Sequence, residues 1–500
     1  MTAKATATPQ DLFAEVYGGE DDAVVRLLRS GVPAEAANEE GETALYLSAV
    51  NDRPGMVRLL LAAGADPDRA SGPEAGDLPL CGAAVGGHTE VVEALLAAGA
   101  RPDLREQFGF TAMAWAVGQG HAGTVEALLE HGADPDLPGP GGEPPLVLAT
   151  RRGSAETVRT LLRHGASAQR EALAEARRWL ETDVEHELRE WLRETYGATP
   201  AETVIRRINE DGAVTVVVEL VRDGLLVAGR EQQTGHAAIA TVLEEKLGVR
   251  TPFAELAERA LRGADPDRDE WLEAVAALWR RGDEETFQAA TAWCASGDPL
   301  RRAFAADVLG QLGSDDDSRP FASRALPLLR ELAREAEDAE LVRAAVLGLG
   351  QQGDPAALPE ILRHASHPDA QVRHRVALSL VGLVPGDDRA GAAALVTLSG
   401  DPDDDVRDWA TLALAGIEAD TPDIREALAA RLDDRDPDTA AEAARGLAVR
   451  QDPRAVDALA RILGSEDPQG YAYAAALETL EYVEDETVRR RLERTPPRNR

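Results

Sequence analysis

The sequence predicts a mainly all-α fold: two α-solenoids in tandem with a small α+β segment between them. Three observations carry that prediction. Glycines recur at 31, 64, 99, 132 and 165, with spacings of 33, 35, 33 and 33. Between residues 201 and 264 the helical period gives way to β-branched runs bounded by turn signals. Beyond residue 264, prolines of Asp-Pro and His-Pro loops recur at 368, 402, 437 and 468, again 31 to 35 residues apart. A chain of 500 residues exceeds what one hydrophobic core supports, and periods of this length mark units that bury their apolar faces only against one another.

Composition narrows the function classes. With 89 Asp+Glu against 53 Lys+Arg, the net charge is -36, which repels phosphate backbones and anionic membrane surfaces, so neither nucleic acid nor membrane is expected as a partner. The apolar share is an ordinary 44%, but aromatics make up only 4%, so small residues must carry the packing. Two cysteines, Cys81 and Cys294, make no disulfide framework, and no signal-peptide core or 18-residue apolar run is present. A cytoplasmic protein is expected, and the use of Arg for nearly all its cations fits a GC-rich bacterial genome.

In residues 1–169, each recurring Gly follows a Leu-Leu helix end, where a left-handed residue closes the helix, and Asp66-Pro67-Asp68 and Asp134-Pro135-Asp136 turn the chain. Each period then holds one turn and two short helices. Thr43-Ala44-Leu45-Tyr46, Leu78-Pro79-Leu80-Cys81, Thr111-Ala112-Met113-Ala114 and Pro144-Pro145-Leu146-Val147 open the successive units, and Gly87-His88-Thr89-Glu90-Val91-Val92 lies between two helices. The pattern resembles the ankyrin repeat family, in five units with Asp11 to Ala37 as the capping one, although the family's first-helix His is absent from all four motifs. The resemblance implies protein binding along a concave face of loop fingers and first helices. Mapped onto it, the third finger presents Arg105, Gln107, Phe108 and Phe110, and the first presents Glu39, Glu40 and Glu42. The inner helices offer Val50, Asn51, Gln119, Arg151 and Arg152. Phe108 and Phe110 flank Gly109 at a finger tip; they are either anchors for a partner or packing against the neighbouring finger.

Residues 170–200 read as one long helix closing this array. Residues 201–264 then read as a three-stranded meander, Val204–Ile208, Val214–Leu220 and Leu225–Ala228, with a helix from Ala237 to Leu247 available to cover one face. At the junction, Glu231, Gln233 and His236 form the one chemical-looking string, a speculative ligand or acid-base site. Thr234 as a helix cap and Glu231 as a counter-charge explain the same letters structurally.

Residues 265–488 are helical with short acidic loops. His367-Pro368-Asp369-Ala370-Gln371-Val372-Arg373 and Asp401-Pro402-Asp403-Asp404-Asp405-Val406-Arg407 are the clearest unit starts, with weaker ones at Asp298, Asp338, Asp436 and Asp467. The Asp-Pro-x-x-x-Val-Arg pattern resembles a HEAT repeat of the variety found in phycocyanobilin lyases, which leaves a lyase-like role as an alternative function. Asp at helix starts caps free N–H groups, and Arg373 and Arg407 are expected to organise neighbouring repeats through ion pairs. Asp315-Asp316-Asp317 and Asp403-Asp404-Asp405 lack the alternation, Gly and distal Glu of a calcium loop. No P-loop, dinucleotide fingerprint, nucleophile elbow or zinc signature occurs, so no catalytic residue, metal or cofactor is assigned. Residues 489–500 hold six Arg and one Glu and read as a flexible basic tail. The expected function is a non-enzymatic protein scaffold or adaptor.

Overall fold

In a computed structural model of the chain, residues 8–73, 76–197, 202–210, 212–314, 319–465, 467 and 470–495 are described. The chain divides into two compact units, Met1–Ala274 and Val275–Arg500.

The first unit begins with five helix pairs: α1 (Pro9–Gly18) and α2 (Asp21–Arg29), α3 (Ala44–Val50) and α4 (Pro54–Ala62), α5 (Pro79–Gly86) and α6 (Thr89–Ala97), α7 (Ala112–Gln119) and α8 (Ala122–Glu130), α9 (Pro145–Arg152) and α10 (Ala155–Arg163). Helices this short are unstable alone, and they persist because neighbours cover them. Thr43 and Thr111 cap α3 and α7 by accepting the N–H three residues on. The recurring glycines 31, 64, 99, 132 and 165 lie at φ between +85° and +98°, which closes each second helix where a side chain would be strained. The acid turns do more than break the chain. Asp68 accepts from Arg101 N at 3.0 Å, Asp103 from Asp134 N at 3.1 Å and Asp136 from Ser167 N at 2.8 Å, a ladder that fixes each repeat to the next.

The stretch that reads as a single closing helix is two, α11 (Gln169–Leu180) and α12 (Val184–Tyr196), because Asp183 accepts from His186 N and starts a new helix. A three-stranded antiparallel sheet follows in the order β1 (Glu202–Glu210), β2 (Ala213–Arg222), β3 (Leu225–Gln233). The meander is present, but its cover differs from the expected one. Leu188 and Leu192 of α12 pack on Val214, Val216, Val218 and Leu220 of β2, one face of the strand at period two. The helix expected there, α13 (His236–Lys246), instead buries Ala238, Ile239, Ala240 and Leu243 in the core shared with the helix pairs and α11. α14 (Phe253–Gly263) follows, and α15 (Asp269–Arg281) runs across the cut between the units.

The second unit contains α16 (Glu284–Cys294), α17 (Pro299–Gln311), α18 (Ala322–Glu335), α19 (Ala339–Gln352), α20 (Leu358–Leu362), α21 (Ala370–Leu380), α22 (Arg389–Leu398), α23 (Asp404–Gly416), α24 (Pro422–Ala429), α25 (Pro437–Val449), α26 (Arg454–Ser465), α27 (Tyr471–Thr479) and α28 (Glu486–Glu493). From α17 to α27 the odd-numbered helices stack directly on one another, and Ala303, Ala306, Ala345, Ala377, Ala410, Ala441 and Ala444 are fully buried where they approach. Asp298, Asp338, Asp369, Asp403 and Asp436 each cap one of them. The basic tail is helical for its first part, since α28 reaches Glu493 and Arg490 pairs with Glu486 at 2.5 Å, while residues 496–500 and Asp315–Asp317 lie outside the described residues.

Candidate protein-interaction face

The fingers that precede α3, α5, α7 and α9 are narrow loops closed on themselves. Asn38 N donates to Glu42 O at 2.9 Å, Ser71 N to Asp77 O at 2.8 Å, Glu106 N to Phe110 O at 2.9 Å and Gly139 N to Glu143 O at 3.1 Å. Successive fingers are also tied together, Gly72 N to Gly41 O at 3.0 Å and Gln107 N to Gly76 O at 3.1 Å, so their tips form one surface.

On the third finger the predicted residues separate into different roles. Arg105 spends its guanidinium on backbone carbonyls, Gly109 O at 2.6 Å and Pro138 O at 2.7 Å, and so stiffens its own finger and the next. Gln107 is exposed and lies over Gly76 of the second finger. Phe108 projects into solvent, 67% exposed, whereas Phe110 is half-buried and stacked on Trp115 of α7 with centroids 4.4 Å apart. Trp115 in turn donates Nε1–H to Glu106 at 3.0 Å. On the first finger Glu39 and Glu40 are exposed, and Glu42 is half-buried and accepts from Asn38 Nδ2 at 2.9 Å.

Burial raises the Tyr46 phenol above its ordinary range, and the nearby charges of Asp77, Glu42 and Glu106 raise it further. Glu106 itself is raised by burial and by Asp77, against the lowering bond from Trp115. Behind them Cys81 is buried, and its thiol is pushed up to about 12, by burial first and then by Glu106 and Asp77. Cys294 is pushed up to about 11, chiefly by burial. Because the thiolate is the reactive form, both cysteines are expected to react with a thiol reagent at pH 8 many-fold more slowly in the native chain than in the unfolded one; rapid native labelling of Cys81 would contradict its placement.

At the other end of this surface the acids are neutralised. Arg151 of α9 holds Glu143 through two bonds of 2.9 and 2.6 Å and Glu175 of α11 at 3.0 Å. Burial alone would raise Glu175, but donors from Arg178, Arg151 and Trp179 bring it to about 2. Of the remaining inner-helix residues, Asn51 donates to Leu47 O at 2.7 Å, Gln119 is exposed, and Val50 accepts at its carbonyl from the His88 ring at 3.3 Å.

Arg152 belongs to a different place. It donates to Glu231 O at 3.0 Å and meets the Glu231 carboxylate at 2.5 Å, joining α9 to β3. Gln232 Nε2 donates to the carbonyls of Arg151 and Arg152 at 2.7 and 2.5 Å. The His236 ring, 3% exposed, stacks on Trp179 at 4.9 Å with its Nε2 3.4 Å from Arg151 O, and burial pulls it down to about 4. Gly153, at φ +78°, makes this contact possible, since a Cβ there would fall 2.1 Å from Gln233 O. Thr234 bonds Val214 O at 2.9 Å and does not cap α13. Glu231, Gln233 and His236 are thus brought together with Arg152, in a closed joint between β3, α13 and α9. Within it the Gln233 side-chain oxygen is buried without a hydrogen-bond partner.

In the second unit Arg373 grips Asp401, 28 residues on, through bonds of 2.7 and 2.8 Å, and donates to His367 O and Pro368 O. Arg407 repeats the arrangement one unit later, reaching Asp434 at 3.1 and 3.2 Å and the carbonyls of Asp401 and Pro402. Each Arg therefore staples its own loop to the next.

Comparison with known families meets the fold at this point. The ankyrin repeat model matches residues 40–71, and a model of three ankyrin repeats matches residues 80–172. The chain carries ankyrin repeats. A HEAT repeat model matches residues 326–415, so the second unit contains HEAT repeats as well. Among curated proteins, the chain is similar to Protein YibA of Escherichia coli K12 and of Escherichia coli O157:H7, each 26% identical over 188 residues. That match covers 36% of this chain and 65% of the relative, so the chain spans just under two thirds of the relatives it resembles. No helix among the described residues is long and apolar enough to cross a membrane.

Sequence reasoning missed Tyr46, Asp77, Glu106 and Trp115 as parts of the ankyrin face. A signal for one of them, Asp77, lies in the repeat itself: the residue just before each helix motif is Glu42, Asp77, Phe110 and Glu143. The third unit has an aromatic where the others have an acid, and Glu106 supplies its carboxylate from four residues earlier.

Proposed function

We propose that the chain is a non-enzymatic scaffold that holds a partner protein along the concave ankyrin face, with Phe108 as the projecting anchor. The observation that carries this reading is the pairing of an exposed Phe108 with a rigid base: Phe110 on Trp115 beneath it and Arg105 bracing two fingers. A large aromatic held out by a stiff loop binds without the entropy cost of ordering that loop. Glu39, Glu40, Glu42, Gln107, Asn51, Gln119 and Arg151 border this face, and Arg152 reaches it only from the joint. The match to ankyrin and HEAT repeats supports a binding role.

Phe108→Ala is expected to leave stability within about 0.5 kcal/mol, as for exposed positions generally, while reducing recovery of partners in affinity capture from the native host. Unchanged recovery with the variant would remove Phe108 from the binding face. The geometry of the Glu231–His236 joint supports a packing role, with the His236 ring neutral between an indole and a carbonyl. Arg373 and Arg407 commit their donors to neighbouring loops, which favours an organising role for the Asp-Pro-x-x-x-Val-Arg units over a lyase-like one.

A further inference from the structure

Where α23 stacks on α25, one contact is decided by counting protons. Asp436 caps α25 by accepting from Thr439 N at 2.8 Å, and it accepts from the Thr439 hydroxyl as well, at 2.6 Å. A hydroxyl has a single proton to donate, and the 2.6 Å bond to Asp436 uses it. Across the helix boundary Asp408 Oδ1 of α23 lies 3.4 Å from the same, fully buried Thr439. An ionised Asp408 would bring a third acceptor to an oxygen that has no proton left to give. The contact is therefore a hydrogen bond only when Asp408 carries a proton and donates it to Thr439.

The surroundings act in the same direction. Asp408 is half-buried, and among the described residues no cation pairs with it. From α25 the charges of Asp436, Asp438 and Glu442 bear on it. Glu442 is in turn held by Arg445 at 2.6 Å and by the Tyr471 hydroxyl of α27 at 2.6 Å. α21 brings His374, whose ring lies 6.4 Å from that of Trp409, together with Arg375, while its Arg373 is held on Asp401. α24 brings Asp423, and also Arg425 and Glu426, which are engaged with Asp420, Asp452 and Arg454; α22 has one charged residue, Arg389. On α23 itself Arg407 is committed to Asp434 and Asp404, and Asp405 is exposed. Burial first, and then the charges of Asp436 and Asp438, push Asp408 up to about 6. A bond donated by Thr439 would lower it, but the proton of that hydroxyl lies on Asp436.

We infer that Asp408 is a pH-sensitive latch between two neighbouring helix pairs: protonated, it donates to Thr439 and closes α23 on α25; ionised, it repels Asp436 and releases the start of α25. In a stack whose pairs touch only their neighbours, releasing one boundary lets the array hinge there while both sides stay folded. The sign is fixed by the raised value. The closed form is favoured at low pH, and that advantage is lost as pH rises through the folded-state value. With an ordinary value of 3.8 in the open form, opening should increase about tenfold between pH 5 and pH 7.

Hydrogen exchange of the full-length chain, read by mass spectrometry on peptides covering α25 and corrected for the intrinsic rate at each pH, measures the opening. The native chain should open at least fivefold more at pH 7 than at pH 5. Asp408→Asn keeps the shape and supplies a permanent donor to Thr439, so the increase should fall to less than half the native one. Thr439→Val keeps the volume and removes the acceptor; it should reduce the increase to the same extent, and it serves if Asp408→Asn does not fold. His374→Gln should leave the increase intact, since burial lowers His374 and a lowered His favours the closed form as pH rises, the opposite sign. A native increase under fivefold would overturn the latch, as would one that survives Asp408→Asn and Thr439→Val or one that vanishes in His374→Gln.

Discussion

Replacing Glu244 with Ala is expected to cost the first unit about 3–5 kcal/mol, the range for removing one partner of a buried ion pair. Glu244 lies on α13 and is 2% exposed; Arg259 on α14 is 3% exposed and meets it through bonds of 2.7 and 3.1 Å. Arg177 of α11 adds a contact at 2.8 Å, and Thr251 donates to the same carboxylate at 2.6 Å. Without Glu244, Arg259 keeps Glu255 and Thr241 but loses its buried counter-charge, and α11, α13 and α14 lose their common tie. Hydrogen exchange at the amides of α13 and α14 during urea titration of the full chain measures the effect locally, and a loss below about 1 kcal/mol would show that solvent or rearrangement compensates.

The same group gives a pH dependence of defined sign. Burial alone would raise Glu244, yet the bonds from Arg259, Thr251 and Arg177 hold it below the ordinary carboxylate value. A depressed folded-state pKa contributes stability that is present above the unfolded value and lost as pH falls through the folded one. The advantage of the native chain over Glu244→Gln should therefore be full near neutral pH and decline only below about pH 4.5, the unperturbed value from which the shift starts. An advantage that grew on acidification would mean that Glu244 is held protonated in the fold.

What the sequence made legible was local chemistry repeated in register. A left-handed Gly after Leu-Leu, an Asp at a helix start and a β-branched run between Asp-Gly turns each act over a few residues, so they could be read without knowing what lies across from them. The choice of cover for the sheet was not of this kind. Leu188 and Leu192 on one helix and Ile239 and Leu243 on another are equally apolar stripes, and only the tertiary arrangement assigns the first pair to β2 and the second to the ankyrin core. Similarly, Gly41 and Gly72, and Gly76 and Gln107, are each 31 residues apart, and their hydrogen bonds follow from stacking successive fingers. The His236 string looked chemical because Glu, Gln and His are versatile; its partners, the carbonyls of Arg151 and Arg152, have no signature in sequence at all.

Carbonyls are also the partners of Arg450, and Arg450→Met is expected to cost the second unit about 3 kcal/mol, as several buried acceptors lose a charged donor together. Arg450 follows α25 and is 7% exposed. It donates to Gly446 O at 2.8 Å, Ile417 O at 2.6 Å, Ala419 O at 2.9 Å, Ala415 O at 3.2 Å and Leu414 O at 3.3 Å. Four of these carbonyls lie in the last turn of α23 or just beyond it, where no further helical N–H is available and the helix end carries partial negative charge. The guanidinium is therefore a C-cap delivered from the neighbouring repeat, and its planar fork reaches several acceptors that a single ammonium cannot. Met fills most of the volume, so its loss reports the hydrogen bonds rather than a cavity, and Arg450→Lys should recover less than half of it. Differential hydrogen exchange ought to localise the damage to the end of α23. If Arg450→Met costs under about 1 kcal/mol, or if exchange rises in α25 alone, water satisfies these carbonyls and the cap across the repeat boundary is not what holds α23 to α25.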